Sequence, residues 1–252
     1  ITGWRLSFVA VTIVLSLILL LAAVSIRDYP VASKTRSIAQ SESLRAMLSG
    51  SLAVLRTPGV LPLAGAGFAL SAGNTLLGIW GGPYLNDVYG LVDIERGKVL
   101  SWMALSGVAG HFIYGRAARW FNTLKWLVVG GGAGITVIMA ALALLPNPSV
   151  FAVTLLLAGL GFACSFPTIL LAHARALVPE YLIGRGITTV NTGIMIAIAM
   201  MQLAVGALIG WLTADNGGDA AFAYRGAFGF ISVMALLSTL NYLRVRDCKP
   251  LT

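Results

Sequence analysis

The sequence predicts an all-α fold, a polytopic bundle of seven helices that cross a membrane. Hydrophobic residues make up 58% of the 252 residues and charged residues only 10%. A soluble domain carries about 25% charged residues, so this composition excludes that class. Apolar runs of about 20 residues, long enough to cross the hydrocarbon core of a bilayer as a helix, recur along the whole chain.

Seven apolar runs, separated by polar or Gly- and Pro-containing connections, define the expected helices. In chain order we expect them at residues 5–27, 59–82, 98–115, 124–145, 150–172, 186–212 and 226–243. The first is almost uniformly aliphatic, whereas the second and the fifth are interrupted by Gly and Pro. The sequences "PNPS" at 146–149 and "TADNGGDA" at 213–220 are typical of turns that end helices.

The longest connection, 28–58, is polar in its first half and periodic in its second. Leu44, Leu48, Leu52 and Leu55 repeat at roughly helical spacing, which predicts an amphipathic helix lying on the membrane surface. A polar tail, 244–252, follows the last helix. The chain starts without Met and its first apolar run begins almost at once, so we expect a piece of a longer polypeptide.

The distribution of basic residues predicts the orientation in the membrane. All but four of the 17 Lys and Arg residues fall in alternate connections, namely 27–58, 116–125, 173–185 and the tail. The opposite side holds Arg5, Arg96, Lys98 and Arg225. The positive-inside rule therefore places the C-terminus in the cytoplasm and the N-terminus outside, as in a bacterial inner-membrane protein. These loops account for the formal charge of +8, and we expect no nucleic-acid partner.

Reactive side chains are scarce in the predicted spans. No Asp or Glu falls within them, and the two histidines and two cysteines form no catalytic or metal-ligating set. The pattern therefore argues against a carboxylate proton relay in these helices. It also predicts that the chain is not an enzyme and carries no metal or cofactor.

Polar and small residues form stripes along four of the helices, at the spacing of one helix face. On the first three of these helices they are Ser71, Asn74, Thr75, Gly78 and Gly82; Gly107, Gly110, His111 and Tyr114; Gly161, Cys164, Ser165 and Thr168. On the sixth span Thr188, Asn191 and Gln202 share a face with Met195 and Ile198. Such stripes arise from close helix packing or from a solvated path through the bundle. Both interpretations stay open for Asn74, Asn191 and Gln202, because a primary amide in hydrocarbon needs partners. His111 is either interfacial or part of the path, and His173 is expected to be interfacial.

The last six helices divide into two triplets, 59–145 and 150–243, whose first helices run in opposite directions through the membrane. In both triplets the first helix is the one that Gly and Pro interrupt. Broken helices at matching positions of inverted repeats are the best sequence indication of a transporter's binding site.

Four segments together resemble the major facilitator superfamily, specifically its C-terminal six helices preceded by the sixth. The basic connection 28–58 is similar to the central cytoplasmic loop, and "IWGGPYLNDVYGL" at 79–91 to the seventh helix running into its outer loop. "GHFIYGRAARW" at 110–120 resembles the signature loop Gly-x-x-x-Asp-Arg-x-Gly-Arg-Arg, with Tyr114 in place of the acid and Gly115 in place of an arginine. "ALVPEYLIGRGITTVNTG" at 176–193 resembles the hairpin between helices ten and eleven.

The resemblance implies a secondary transporter in which two six-helix bundles rock around a solute bound between them. Residues 1–27 would correspond to helix six and 59–243 to the C-terminal bundle, so the N-terminal bundle of the same polypeptide would be a partner. The other expected partners are the lipid bilayer, a small-molecule substrate and a coupling ion.

The implied substrate-path residues lie on the family's cavity-lining helices, and the implied cytoplasmic gate loop follows the signature. The path residues are Asn74, Thr75, Trp80, Tyr84, His111, Cys164, Ser165, Thr168, Asn191 and Gln202, and the gate residues are Gly110, Arg116 and Arg119. Trp80 and Tyr84 have an alternative role as interfacial anchors, and Arg116 and Arg119 as topology signals alone. A different function class, a seven-helix receptor or sensor with its N-terminus outside, also fits the helix count.

Overall fold

The computed structural model describes residues 3–25, 50, 52, 54–215 and 217–250. The chain divides into two units, residues 1–43 and 44–252, which are described separately. In the described part of the first unit, helix α1 covers Gly3–Ser25. Most of the predicted connection 28–58, with the first half of its amphipathic helix, lies outside the described residues.

Every secondary-structure element in the described part of the second unit is a helix, which confirms the all-α class. Its α-helices are α2 (Val60–Gly65), α3 (Gly67–Thr75), α4 (Gly81–Tyr89), α5 (Asp93–Phe121), α6 (Lys125–Leu144), α7 (Val150–Ala163), α8 (Pro167–Leu177), α9 (Ile183–Asp215) and α10 (Ala220–Tyr242). A π-helical turn, Leu76–Trp80, joins α3 to α4, and a 3₁₀ turn, Glu180–Leu182, precedes α9.

Six helical segments of the described chain are long and apolar enough to cross a membrane, close to the seven predicted. The helix outside this set is α5, the third predicted span. With 29 residues it is about 43 Å long, enough to span a bilayer. Charged residues at both ends and the polar stripe around His111 lower the mean hydropathy of this helix.

The two helices predicted to be interrupted are interrupted. In the first, the N–H of Gly81 donates to the carbonyl of Leu76 five residues earlier, and a Cβ at Gly81 would collide with that oxygen. In the second, the helix stops at Ala163 and restarts at Pro167, which takes the first helical position because it has no N–H to satisfy there.

The third helix continues six residues beyond its predicted end at 115. The segment 116–121 contains no Gly or Pro, and Ala and Arg are good helix formers, so nothing local stops the helix there. It ends at Asn122, whose φ of 51° is left-handed. Arg116 and Arg119 therefore lie in the last turns of α5, where a connection was predicted.

Glycine seams bring the helices of the second unit close together. A Cβ at Gly161 on α7 would strike the backbone carbonyl of Met103 on α5, and a Cβ at Gly132 on α6 would strike Thr239 on α10. The Ser232 hydroxyl on α10 also donates to the Thr136 carbonyl on α6, at 2.9 Å. Small residues thus set the α5–α7 and α6–α10 contacts, as they do in other membrane bundles.

The segment after α10 is tied back to the bundle through His173, which was predicted to be interfacial and whose side chain is fully buried within the protein. Its Nε2 lies 2.8 Å from the Arg246 carbonyl, which can only accept, so Nε2 carries the proton. Its Nδ1 then accepts from the Tyr242 hydroxyl at 2.5 Å. Tertiary contacts therefore fix one neutral tautomer of this ring.

A second tie holds Asp247 to the turn between α5 and α6. Its carboxylate accepts from the Thr123 hydroxyl at 2.7 Å and from the Lys125 backbone N–H at 3.0 Å. Partial burial alone raises the pKa of Asp247, but these hydrogen bonds outweigh it and hold the pKa below its usual value. The Lys125 ammonium donates to the Leu243 carbonyl at 2.6 Å and completes the tie.

Candidate functional site

A cleft of about 530 Å³ opens where three of the predicted polar stripes meet. Its walls come from α3 and the π-helical turn, from the middle of α5, and from the break between α7 and α8. The lining residues are Gly73, Asn74, Leu77, Gly78, Met103, Ala104, Gly107, Val108, His111, Gly161, Cys164 and Pro167. The cleft is thus shared by both predicted triplets, which meet at their broken first helices.

Two side chains, Asn74 and His111, give the cleft most of its hydrogen-bonding capacity. The Asn74 amide nitrogen donates weakly to the Leu70 carbonyl, at 3.4 Å, and the residue is otherwise exposed. The His111 Nδ1 lies 2.8 Å from the Gly107 carbonyl, so Nδ1 is the protonated nitrogen of the neutral ring. The Asn74 carbonyl oxygen and His111 Nε2 can therefore accept hydrogen bonds within the cleft.

Cys164 brings a thiol into the same cleft, at the point where α7 ends. A Cβ built on Gly73 would stand 2.8 Å from its sulfur, so the thiol packs directly against the α3 backbone. Of the ten predicted path residues, the structure therefore brings Asn74, His111 and Cys164 together in one cleft.

Ser165 and Gly110 lie behind the cleft, in the contact between α5 and α7. The fully buried Ser165 hydroxyl is within hydrogen-bonding distance of the Gly107 and Gly161 carbonyls, at 2.8 and 2.9 Å. A Cβ at Gly110 would overlap the Ser165 side chain. These two residues lie at the helix–helix contact and are absent from the cleft lining.

Thr75, Trp80 and Tyr84 are turned away from the cleft. The Thr75 hydroxyl and the Trp80 indole N–H are both buried without a hydrogen-bond partner among the described residues. Tyr84 is 4% exposed and packs edge-to-face against Tyr89 and Phe228. This aromatic cluster joins α4 to α10.

The remaining predicted path residues lie on surfaces outside the cleft. Thr168 and Asn191 are exposed, and Gln202 is partly exposed on α9. Of the predicted gate residues, Arg116 stacks over the Trp120 ring at 5.1 Å, and Arg119 lines a second cavity at the end of α5.

Sequence reasoning missed the apolar part of the cleft wall, chiefly Leu77, Met103, Ala104 and Val108. On α5 the lining positions 103, 104, 107, 108 and 111 follow helical spacing of three and four residues. Extending the polar stripe by one turn regardless of polarity would have found Met103 and Ala104.

The chain is similar to known proteins over most of its length. The family model of the Major Facilitator Superfamily matches residues 1–202. The inward-open structure of the xylose transporter XylE from E. coli matches with a TM-score of 0.57 and 16% sequence identity, covering 80% of this chain and 48% of that one. The chain thus spans about half the length of this transporter. No curated protein matches the chain.

Proposed function

The chain belongs to the Major Facilitator Superfamily, a family of membrane transporters, and we propose that it is the C-terminal bundle of a secondary transporter, preceded by helix six. In this assignment 1–27 is helix six, 28–58 the central loop and 59–243 the bundle, with repeats 59–145 and 150–243. The structural match to about half of a solved transporter chain supports it. Family membership favours this class over the seven-helix receptor.

The cleft around Asn74 and His111 is this bundle's share of the solute path. The observation that carries the proposal is its position, between helices of both repeats and beside both helix breaks. Repeat interfaces with broken helices are where transporters of this architecture bind solute. None of the described residues that line the cleft carries a formal charge apart from a protonatable histidine, so this half suits a neutral, hydrogen-bonding solute.

Alternating access requires the second bundle of the polypeptide, which closes over this cleft from the other side. Thr168, Asn191 and Gln202 are exposed on the described chain and are proposed to meet the solute or that bundle. A coupling carboxylate would have to come from the N-terminal bundle, because no predicted span here contains Asp or Glu. The basic connections support an inner-membrane location with a cytoplasmic C-terminus.

The experiment that tests the path uses Cys164 as a reporter and needs no knowledge of the solute. In membrane vesicles carrying the full polypeptide with all other cysteines replaced by Ser, a water-soluble methanethiosulfonate reagent should modify Cys164, because thiolates form only in contact with water. Asn74→Trp, which fills the cleft, should slow that reaction at least tenfold.

The matched control places a thiol on the same helix but outside the cleft. Leu155 on α7 is 57% exposed and faces away from the cleft lining. In a Cys164→Ser background, Leu155→Cys should stay unmodified, because its surroundings are lipid. Equal modification of the Cys164 and Leu155→Cys thiols would contradict a water-filled path. So would the absence of modification at both Cys164 and Asn74→Cys, because position 74 is exposed in the cleft.

A further inference from the structure

A second cavity, of about 540 Å³, lies at the C-terminal end of α5 and is separate from the proposed path. It is bounded by the last turns of α5 and α8, the first turns of α9 and the end of the tail at Pro250. Its walls are largely apolar, contributed by Leu124, Ile169, Leu171 and Ile187. Two guanidinium groups, those of Arg119 and Arg175, complete the lining.

Both arginines are exposed and lack a counter-charge within the described part of the chain. No ion pair or hydrogen bond is formed by either side chain among residues 54–215 and 217–250. The carboxylate of Asp247, on the tail that borders the cavity, is already bonded to Thr123 and to the Lys125 N–H. The cavity therefore presents two positive charges from two helices over an apolar floor.

Neighbouring aromatic side chains indicate where the cavity lies relative to the bilayer. Close in sequence to the lining residues Arg119 and Leu124 are Trp120, Phe121 and Trp126, which are 69%, 70% and 58% exposed. Exposed Trp at helix ends is typical of the bilayer interface. A molecule that occupies the cavity would therefore have its charged group at the headgroup level and apolar atoms toward the floor.

We propose that this cavity binds the phosphate of an acidic phospholipid between Arg119 and Arg175, with the upper acyl chain against Ile169 and Ile187. Guanidinium groups bind phosphate oxygens through two parallel hydrogen bonds, and two of them from different helices fix a headgroup in one position. Basic pockets between membrane helices bind anionic headgroups in the same way. The bound lipid would join the ends of α5, α8 and α9.

Native mass spectrometry of the full polypeptide, released from nanodiscs that contain phosphatidylglycerol and phosphatidylcholine, tests this site. The wild type should retain one phosphatidylglycerol, and Arg119→Gln/Arg175→Gln should retain at least tenfold less. The control Arg116→Gln/Arg244→Gln removes the same charge from the same end, outside the cavity lining, and should retain the lipid. A second variant, Ile187→Trp, fills the cavity while keeping both arginines and should also lose the lipid.

Three outcomes would overturn the proposal. Equal loss in the control would mean non-specific attraction to a basic surface, and unchanged retention in Arg119→Gln/Arg175→Gln would mean that the lipid binds elsewhere. Binding of inorganic phosphate or glycerol phosphate in lipid-free detergent, to the same extent as the phospholipid, would mean a soluble anion. Each result is independent of solute transport, so the site can fail without affecting the proposed function.

Discussion

The two histidines of the chain should respond in opposite ways to replacement by Ala, because one is a buried tie and the other faces the cleft. His173→Ala leaves the Tyr242 hydroxyl, on a residue 1% exposed, and the Arg246 carbonyl without their partner. An unsatisfied buried polar group costs about 1–3 kcal/mol. The Arg246 carbonyl is nearer the surface and regains a water, whereas the cavity left by the buried ring costs about 1 kcal/mol more. We therefore expect a total loss of roughly 2–4 kcal/mol.

His111→Ala removes only a local bond to Gly107 on the same helix and an exposed ring, so the stability should change little. The assay is the apparent melting temperature of the full polypeptide in detergent, followed by size-exclusion chromatography after heating. His173→Ala should melt on the order of 10 °C below the wild type. His173→Gln, which keeps a donor and an acceptor, should recover part of that loss.

Two results would refute this reasoning. A melting temperature of His173→Ala within about 1 °C of the wild type would mean that the tail is not held by this ring, given the usual shift of about 2–4 °C per kcal/mol. An equal loss in His111→Ala would mean that the burial of a histidine does not determine how much stability its replacement costs.

Three further predictions concern the tail, a glycine seam and the solute path. Asp247→Asn should lower the melting temperature at pH 7. Hydrogen bonds hold the folded-state pKa of the Asp247 carboxyl below its usual value of 3.8, so its contribution to stability is complete above about pH 4 and is lost as the pH falls through the folded-state pKa. The difference in melting temperature between variant and wild type should therefore disappear in acid, and a difference that persists there would point to another cause. Gly161→Ala should cost about 1–3 kcal/mol by forcing α7 off α5, whereas Gly130→Ala, with open space around its Cα, should be neutral or slightly stabilising in the same melting assay. Asn74→Leu and Gln202→Leu should each abolish solute uptake by cells while the membrane content of the protein, measured by blotting, stays normal; full uptake in either variant removes that residue from the path.

The predicted helices and their interruptions were confirmed because their signals are local. Runs of apolar residues set the spans, and Pro167 without an N–H sets the restart of α8, whatever surrounds them. The helix α5 ends six residues beyond the predicted 115, because residues 116–121 are good helix formers even though two arginines end the apolar run there.

The residues beyond the π-helical turn show why the sequence predicted the site only in part. A π turn adds one residue to a helix, which rotates everything after it by about 100° relative to an ideal α-helix. A stripe drawn through Asn74 and Gly78 therefore no longer describes Gly82, and Tyr84 packs against α10 instead. Periodicity alone gives no sign of that extra residue.

By itself the sequence determined the membrane-helix class, the order of the helices, the two broken helices and the resemblance to a transporter family. The tertiary structure decided which polar residues face a cleft and which hold helices together: Asn74 and His111 in the first group, Ser165 and His173 in the second. The physical reason is that periodicity assigns a residue to one face of a helix, whereas its role depends on what lies opposite that face. A glycine carbonyl lies opposite Ser165, a tyrosine hydroxyl opposite His173, and open space opposite His111.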